Sequence, residues 1–140
     1  MDAPIRMPSL FLSHGSPMVA VQDSPAGRFL DGLGRELPWP KAIVVASAHF
    51  MSDRPLLGGH VQPHTVHDFG GFPQALYTLQ YPAPGAPDLA EAIATRLGDA
   101  GLPARVRENH GLDHGVWVPL RRMYPDAAIP VVPLSVMPHG

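Results

Sequence analysis

The chain contains no cysteine. That excludes both a disulfide framework and a thiolate metal site, so any bound metal must take nitrogen and oxygen ligands. It has no block of like charge either. Ten Lys and Arg stand against twelve Asp and Glu, a formal net charge of -2 that leaves no footprint for nucleic acid. No apolar run approaches the ~20 residues of a membrane-spanning helix. The first residues lack a basic stretch followed by a long apolar one, so no secretory signal is read there. Neither a nucleic acid nor a membrane is an expected partner, and the cytoplasm is the expected location. A Gly-x-Ser-x-Gly nucleophile elbow and a Gly-rich phosphate cradle are also missing.

What is present is a globular composition with one oddity. Of 140 residues, 45% are hydrophobic and 16% charged, enough apolar surface for one domain with a real core. The 14 Gly and 18 Pro fall between apolar runs and mark turns. The oddity is eight histidines, most of them beside Gly, Pro or Asp.

Ser9–Leu12 reads as a first strand, ended by His14-Gly15-Ser16-Pro17. Ser24 as N-cap and Pro25 at the first helical position open a helix. Phe29, Leu30, Leu33 and Leu37 recur along it at helical spacing, and Pro38 stops it. Ala42–Ala46 is uniformly apolar, the pattern of a strand covered on both faces, and it delivers His49 at its end. Pro55–Gly59 is a weaker strand, 60–72 a turn-rich loop and Pro73–Leu79 a short helix. Pro87–Ala100 is the clearest helix, with Leu89, Ile93 and Leu97 in one stripe. Ala104–Arg107 as a strand, Val116–Met123 as a helix and Ile129–Val136 as a strand broken at Pro133 complete the order. Alternating strands and helices argue for an α/β fold, a mostly parallel central sheet with crossover helices. A metal site is then expected at the carboxyl ends of the strands.

Two strand ends carrying His14 and His49 suggest one metal site between them, since neutral imidazole is the commonest metal ligand. A lone strand-end histidine is more often structural; it is the repetition that favours ligation. Ser16 and Ser47 are candidate hydrogen-bond partners for the two rings. Thr65–Pro73 joins His67 and Asp68 to a Gly-Gly hinge and two aromatics. It reads as a lid over a planar substrate with His67 moving a proton, or as a solvent loop with an Asx turn at Asp68. Asp113-His114 reads as a carboxylate beside an acid/base histidine, or equally as an N-cap followed by an exposed ring. His60, His64, His110 and His139 are read as surface or loop residues, and Arg105, Arg107, Arg121 and Arg122 as solvated faces.

Taken together, Leu12-Ser13-His14-Gly15-Ser16-Pro17-Met18, Ser47-Ala48-His49-Phe50 and His67-Asp68-Phe69-Gly70-Gly71-Phe72-Pro73 form an ordered set of motifs. Tyr81-Pro82-Ala83-Pro84-Gly85, Asp113-His114-Gly115-Val116-Trp117 and Met123-Tyr124-Pro125-Asp126-Ala127 continue it. The set resembles the DOPA-dioxygenase branch of the class III extradiol ring-cleavage dioxygenases and spans nearly the whole chain. The resemblance implies that His14 and His49 are metal ligands and that His67 and His114 lie at the active site as substrate-binding or acid/base groups. It implies Fe(II) as the catalytic metal, with Zn(II) described in some members, and a catechol such as DOPA together with O₂ as reactants. It places the third metal ligand in a region beyond residue 140. The expectation is therefore a single domain over 1–140, the front part of a longer one, with self-association of the chain as a further expectation.

Two rivals stay open on the sequence. A tetrapyrrole metal chelatase also starts strand–His-Gly-Ser but leaves His49 and the 67–73 loop unexplained; metal insertion without catechol turnover favours it. A non-catalytic or incomplete metal-binding relative on the same scaffold is the other, favoured by weak or absent metal binding.

Overall fold

The computed structural model describes residues 6–138. His139, read above as a surface residue, lies outside them. Helix α1 (Pro25–Glu36) starts where the sequence places it: Ser24 Oγ accepts from the Gly27 amide at 3.0 Å, and a proline occupies the first turn. Strand β1 (Ile43–Met51) and strand β2 (Leu56–Gly58) follow, then the short helix α2 (Gln74–Tyr77). Helix α3 (Pro87–Asp99), strand β3 (Arg105–Arg107), helix α4 (His114–Met123) and strand β4 (Val131–Val136) complete the chain.

The four strands form one sheet in the order β1-β4-β2-β3. Pairings β1–β4 and β2–β3 are parallel, and β2–β4 is antiparallel through the Leu57–Leu134 pair. The mostly parallel α/β sheet expected from the sequence is thus present, with one reversed pairing. Strand β4 runs through Pro133 rather than breaking there, and its pairing with β2 is confined to one bridge. A proline offers no amide to a ladder, so a short pairing on one side is the arrangement it tolerates.

The core lies on both faces of β4. Val131 packs into the cluster formed by α1, α4 and the 76–83 segment, around the fully buried Trp117, Tyr81 and Leu76. Val132 packs the other way, with Leu57 and Ala90 of α3, beside the Leu89, Ile93 and Leu97 stripe. Helix α1 reaches α4 closely enough that a Cβ at Gly34 would sit 2.1 Å from the Met123 carbonyl oxygen. An ion pair between Arg122 Nη2 and Asp31 Oδ2 at 2.9 Å ties the same helices. Arg121 Nη1 donates to the Ala20 carbonyl at 2.7 Å. These two arginines are therefore helix-docking groups rather than a solvated face, whereas Arg105 and Arg107 are exposed as expected.

Two strand expectations are corrected. Ser9–Leu12 is not a strand: it has no sheet partner among the described residues, and Leu10 and Phe11 are exposed. Only three apolar residues, Leu10, Phe11 and Leu12, stand between Pro8 and the left-handed Gly15 (φ 63°), and no neighbouring strand offers them a ladder among the described residues. β1 is an edge strand covered on one face only. Val44 and Met51 are exposed, because α4 packs on its inner side and no described element covers the outer.

Candidate active site

The parallel ladder of β1 on β4 is regular from Ile43 to Ala46 and resumes at Met51. The five-residue step from Ala46 to Met51 is matched by a two-residue step from Leu134 to Val136. Ser47, Ala48, His49 and Phe50 occupy this irregular stretch. Such bulges re-aim side chains, commonly beside active sites. His49 is thus turned out of the strand near its carboxyl end, and it is exposed.

His14 arrives from a loop, not a strand end. Ser16 caps the 3₁₀ turn Pro17–Ala20 by accepting from the Met18 amide at 3.1 Å, and the left-handed Gly15 sets the chain's direction into it. Ser16 therefore caps a turn instead of holding an imidazole. His14 Nε2 lies 3.0 Å from His49 Nε2.

His114 is the first residue of α4. Asp113 is its N-cap, with Oδ1 accepting from the Gly115 amide at 2.8 Å. The N-cap reading of Asp113 holds, but the ring after it is buried rather than exposed. Its ring centroid stands 4.1 Å from that of His49 and 5.0 Å from that of His14. One ring nitrogen from each of His14, His49 and His114 falls within 4.8 Å of the others.

The carboxylate on His114 is Asp68, not its neighbour Asp113. Asp68 Oδ1 accepts from His114 Nδ1 at 2.8 Å and from the His114 amide at 3.0 Å. The approach is set by the loop running beside 110–114. Thr65 and Leu112 form a parallel bridge, the Leu112 amide donates to the His64 carbonyl and the Val66 amide to the Leu112 carbonyl, both at 2.8 Å. Trp117 Nε1 donates to the Val66 carbonyl at 2.8 Å, so the loop is bolted to α4. Asp113 serves the other side: Ser47 Oγ donates to its Oδ1 at 2.7 Å and accepts from the His49 amide at 3.2 Å.

His67 stands apart from the three rings. Its Nε2 donates to the Leu79 carbonyl at 2.7 Å, and its ring packs against Trp117 and Phe69. Phe69 bridges the gap, its centroid 5.5 Å from that of His114. With Phe72 and Tyr77 it forms an aromatic wall, pinned where Tyr77 Oη donates to the Phe69 carbonyl at 3.1 Å. Among the remaining histidines, His60 Nδ1 accepts from the Gln62 amide and His64 is exposed. His110 is half-buried and stacked on Phe50 at 3.7 Å, a contact the sequence did not suggest.

The electrostatics suit a cation. Burial, then the neighbouring His114 and His49, lower the His14 pKa below 6.5, which favours the neutral ring that ligates metals. Burial tends to raise the Asp68 carboxyl, but its hydrogen bonds from the His114 ring and amide outweigh that and hold it below 3.8. His14 Nδ1 and Asp113 Oδ2 are both buried without a hydrogen-bond partner among the described residues. Converging imidazoles, one of them held by a carboxylate, with no thiol, form a donor set that fits Fe(II) or Zn(II). The 3.0 Å between His14 Nε2 and His49 Nε2 brings two such donors together.

Comparison with known proteins agrees with the motifs. Residues 8–139 match the family model described as the catalytic LigB subunit of aromatic ring-opening dioxygenase. The chain belongs to that family. It is 50% identical over 132 residues to a 4,5-DOPA dioxygenase extradiol of Escherichia coli (strain K12), covering 94% of this chain and 48% of the relative. It is 44% identical over 135 residues to a 4,5-DOPA dioxygenase extradiol of Beta vulgaris, covering 94% and 50%. A crystal structure of an uncharacterized protein from Escherichia coli K12 superposes with a TM-score of 0.65 at 37% identity, over 83% of this chain and 42% of that one. The chain spans about half the length of the curated relatives it matches.

Proposed function

We propose that this chain carries the metal and proton-transfer half of an extradiol dioxygenase, which opens the ring of a catechol such as DOPA with O₂ to give a semialdehyde product. The observation that carries the reading is the convergence of one ring nitrogen each from His14, His49 and His114 within 4.8 Å. The names of the relatives, 4,5-DOPA dioxygenase extradiol, supply the substrate class.

In this reading His14 and His49 hold Fe(II); Zn(II) suits the same nitrogens. Iron held there would supply Lewis-acid and electron-transfer chemistry toward a vicinal diol and O₂. The chain's own residues do the rest. His114, with Nδ1 engaged by Asp68, has Nε2 free to take a proton from a catechol hydroxyl and return it to the ring-opened product. The Phe69, Phe72 and Tyr77 wall offers an apolar surface of edges and faces against which an aromatic ring can pack. His67, its Nε2 engaged by Leu79, is a substrate-binding group behind Phe69. The cytoplasm and self-association through the one-sided edge strand β1 belong to the same reading.

A second reading has one observation in its favour: His114 is as close to the pair as a third ligand would be. His114→Ala separates the two. Retained metal with lost turnover supports proton transfer, and lost metal supports ligation.

The activity is tested by loading the protein with Fe(II) without oxygen and adding DOPA in aerated buffer. Oxygen uptake with a new yellow chromophore is expected. Bound iron with no uptake on any vicinal diol would overturn turnover by this chain and favour the incomplete, metal-binding relative.

A further inference from the structure

The two carboxylates near His114 divide their work in a way that the sequence order hides. Asp113, its direct neighbour, caps α4 and holds Ser47. Asp68, 46 residues earlier, takes both the His114 amide and its Nδ1 on a single oxygen. An amide in the first turn of a helix has no partner within the helix, so Asp68 completes the cap and clamps the ring in one contact. Two bonds from one residue to one oxygen fix the ring's torsion as well as its proton. The ring itself is buried, while Asp68 keeps some exposure on its loop.

We propose that Asp68 is the positioning residue of His114. Its carboxylate fixes the imidazole as the Nδ1–H tautomer and keeps Nε2 free for the His14 and His49 side. The inference rests on the proton-transfer role proposed above for His114. It deepens that role by making the imidazole's competence depend on the 65–73 loop. The loop is in turn set by the Tyr77–Phe69, His67–Leu79 and Trp117–Val66 bonds. An imidazole presenting Nε2–H instead would have no lone pair there to accept a proton, so losing Asp68 should damage the chemical step more than substrate binding.

The test is long-range ¹H–¹⁵N NMR of the histidine rings at pH 8, with His114 assigned by comparison with His114→Gln. The wild-type chain is expected to show His114 as Nδ1–H, and Asp68→Ala to show it as Nε2–H. Asp68→Asn, which keeps the acceptor oxygen, is expected to restore Nδ1–H. In the iron-loaded protein, Asp68→Ala should lower kcat roughly 10–100-fold with KM within about twofold, and Asp68→Asn should recover most of the loss. An Nε2–H tautomer in the wild type would overturn the proposal whatever the variants do. So would a persistent Nδ1–H, or a wild-type kcat, in Asp68→Ala. A His114→Ala variant with wild-type turnover would instead remove the proton-transfer role, leaving the tautomer to decide Asp68's.

Discussion

Ser47 Oγ donates to Asp113 Oδ1 at 2.7 Å, joining residues 66 positions apart inside a buried contact. The bond ties the irregular end of β1, which carries His49, to the cap of α4, which carries His114. Two of the three converging rings are therefore held in register by one hydroxyl. A Cβ at Gly115 would sit 2.6 Å from that hydroxyl and 3.0 Å from the His49 ring, so the close approach also requires glycine there.

Ser47→Ala leaves a buried carboxylate with one bond fewer. A loss of about 1–3 kcal/mol in unfolding free energy is expected from urea denaturation. Metal affinity should fall roughly 10-fold or more as the two rings loosen. An unchanged midpoint and affinity would show that the helix cap alone sets the geometry.

Gly34→Ala should be among the most damaging single-methyl additions in the chain. Its Cβ meets the Met123 backbone, which cannot rotate away as a side chain can. Forcing α1 from α4 is expected to cost about 1–3 kcal/mol, read as a lowered thermal midpoint. Gly32→Ala on the same helix meets nothing within 4 Å and serves as the control.

The metal-free protein should lose stability as pH falls below 6.5. Burial, then Arg107, lower the His110 pKa against an opposing pull from Asp113, with His64 adding a smaller lowering; burial and two imidazoles do the same for His14. Between those lowered folded values and 6.5 the unfolded chain holds more protons, so stability is full above 6.5 and declines toward the folded pKa. Urea midpoints at pH 8 and pH 5.5, with a chelator present, check this. His110→Phe, which keeps a ring against Phe50, should shrink the difference; an identical pH dependence would exclude His110 as a contributor.

Much of the fold was legible because local signals and packing agreed. Ser24-Pro25 started α1, the Leu89, Ile93 and Leu97 stripe marked α3, and apolar runs marked β1 and β4. The Ser9–Leu12 run misled because three apolar residues in a row say nothing about whether a sheet edge awaits them. The histidines of the site were visible as residues following short apolar runs or as Asp-His-Gly. Their partners were not. Asp68 meets His114 only because the Thr65–Leu112 bridge lays two distant loops side by side. Ser47 was singled out as an imidazole partner, yet its bonds run to Asp113 and to the His49 amide. His110 was read as a surface loop residue, although Phe50, which stacks on it, sits next to His49.

The most direct test of the central claim is anaerobic Fe(II) binding to the wild-type chain, His14→Ala and His49→Ala, read by metal analysis after desalting, with circular dichroism to confirm folding. One equivalent in the wild type and none in either folded variant is the predicted result. Full retention of iron in both variants would contradict the assignment of His14 and His49 as the metal's ligands.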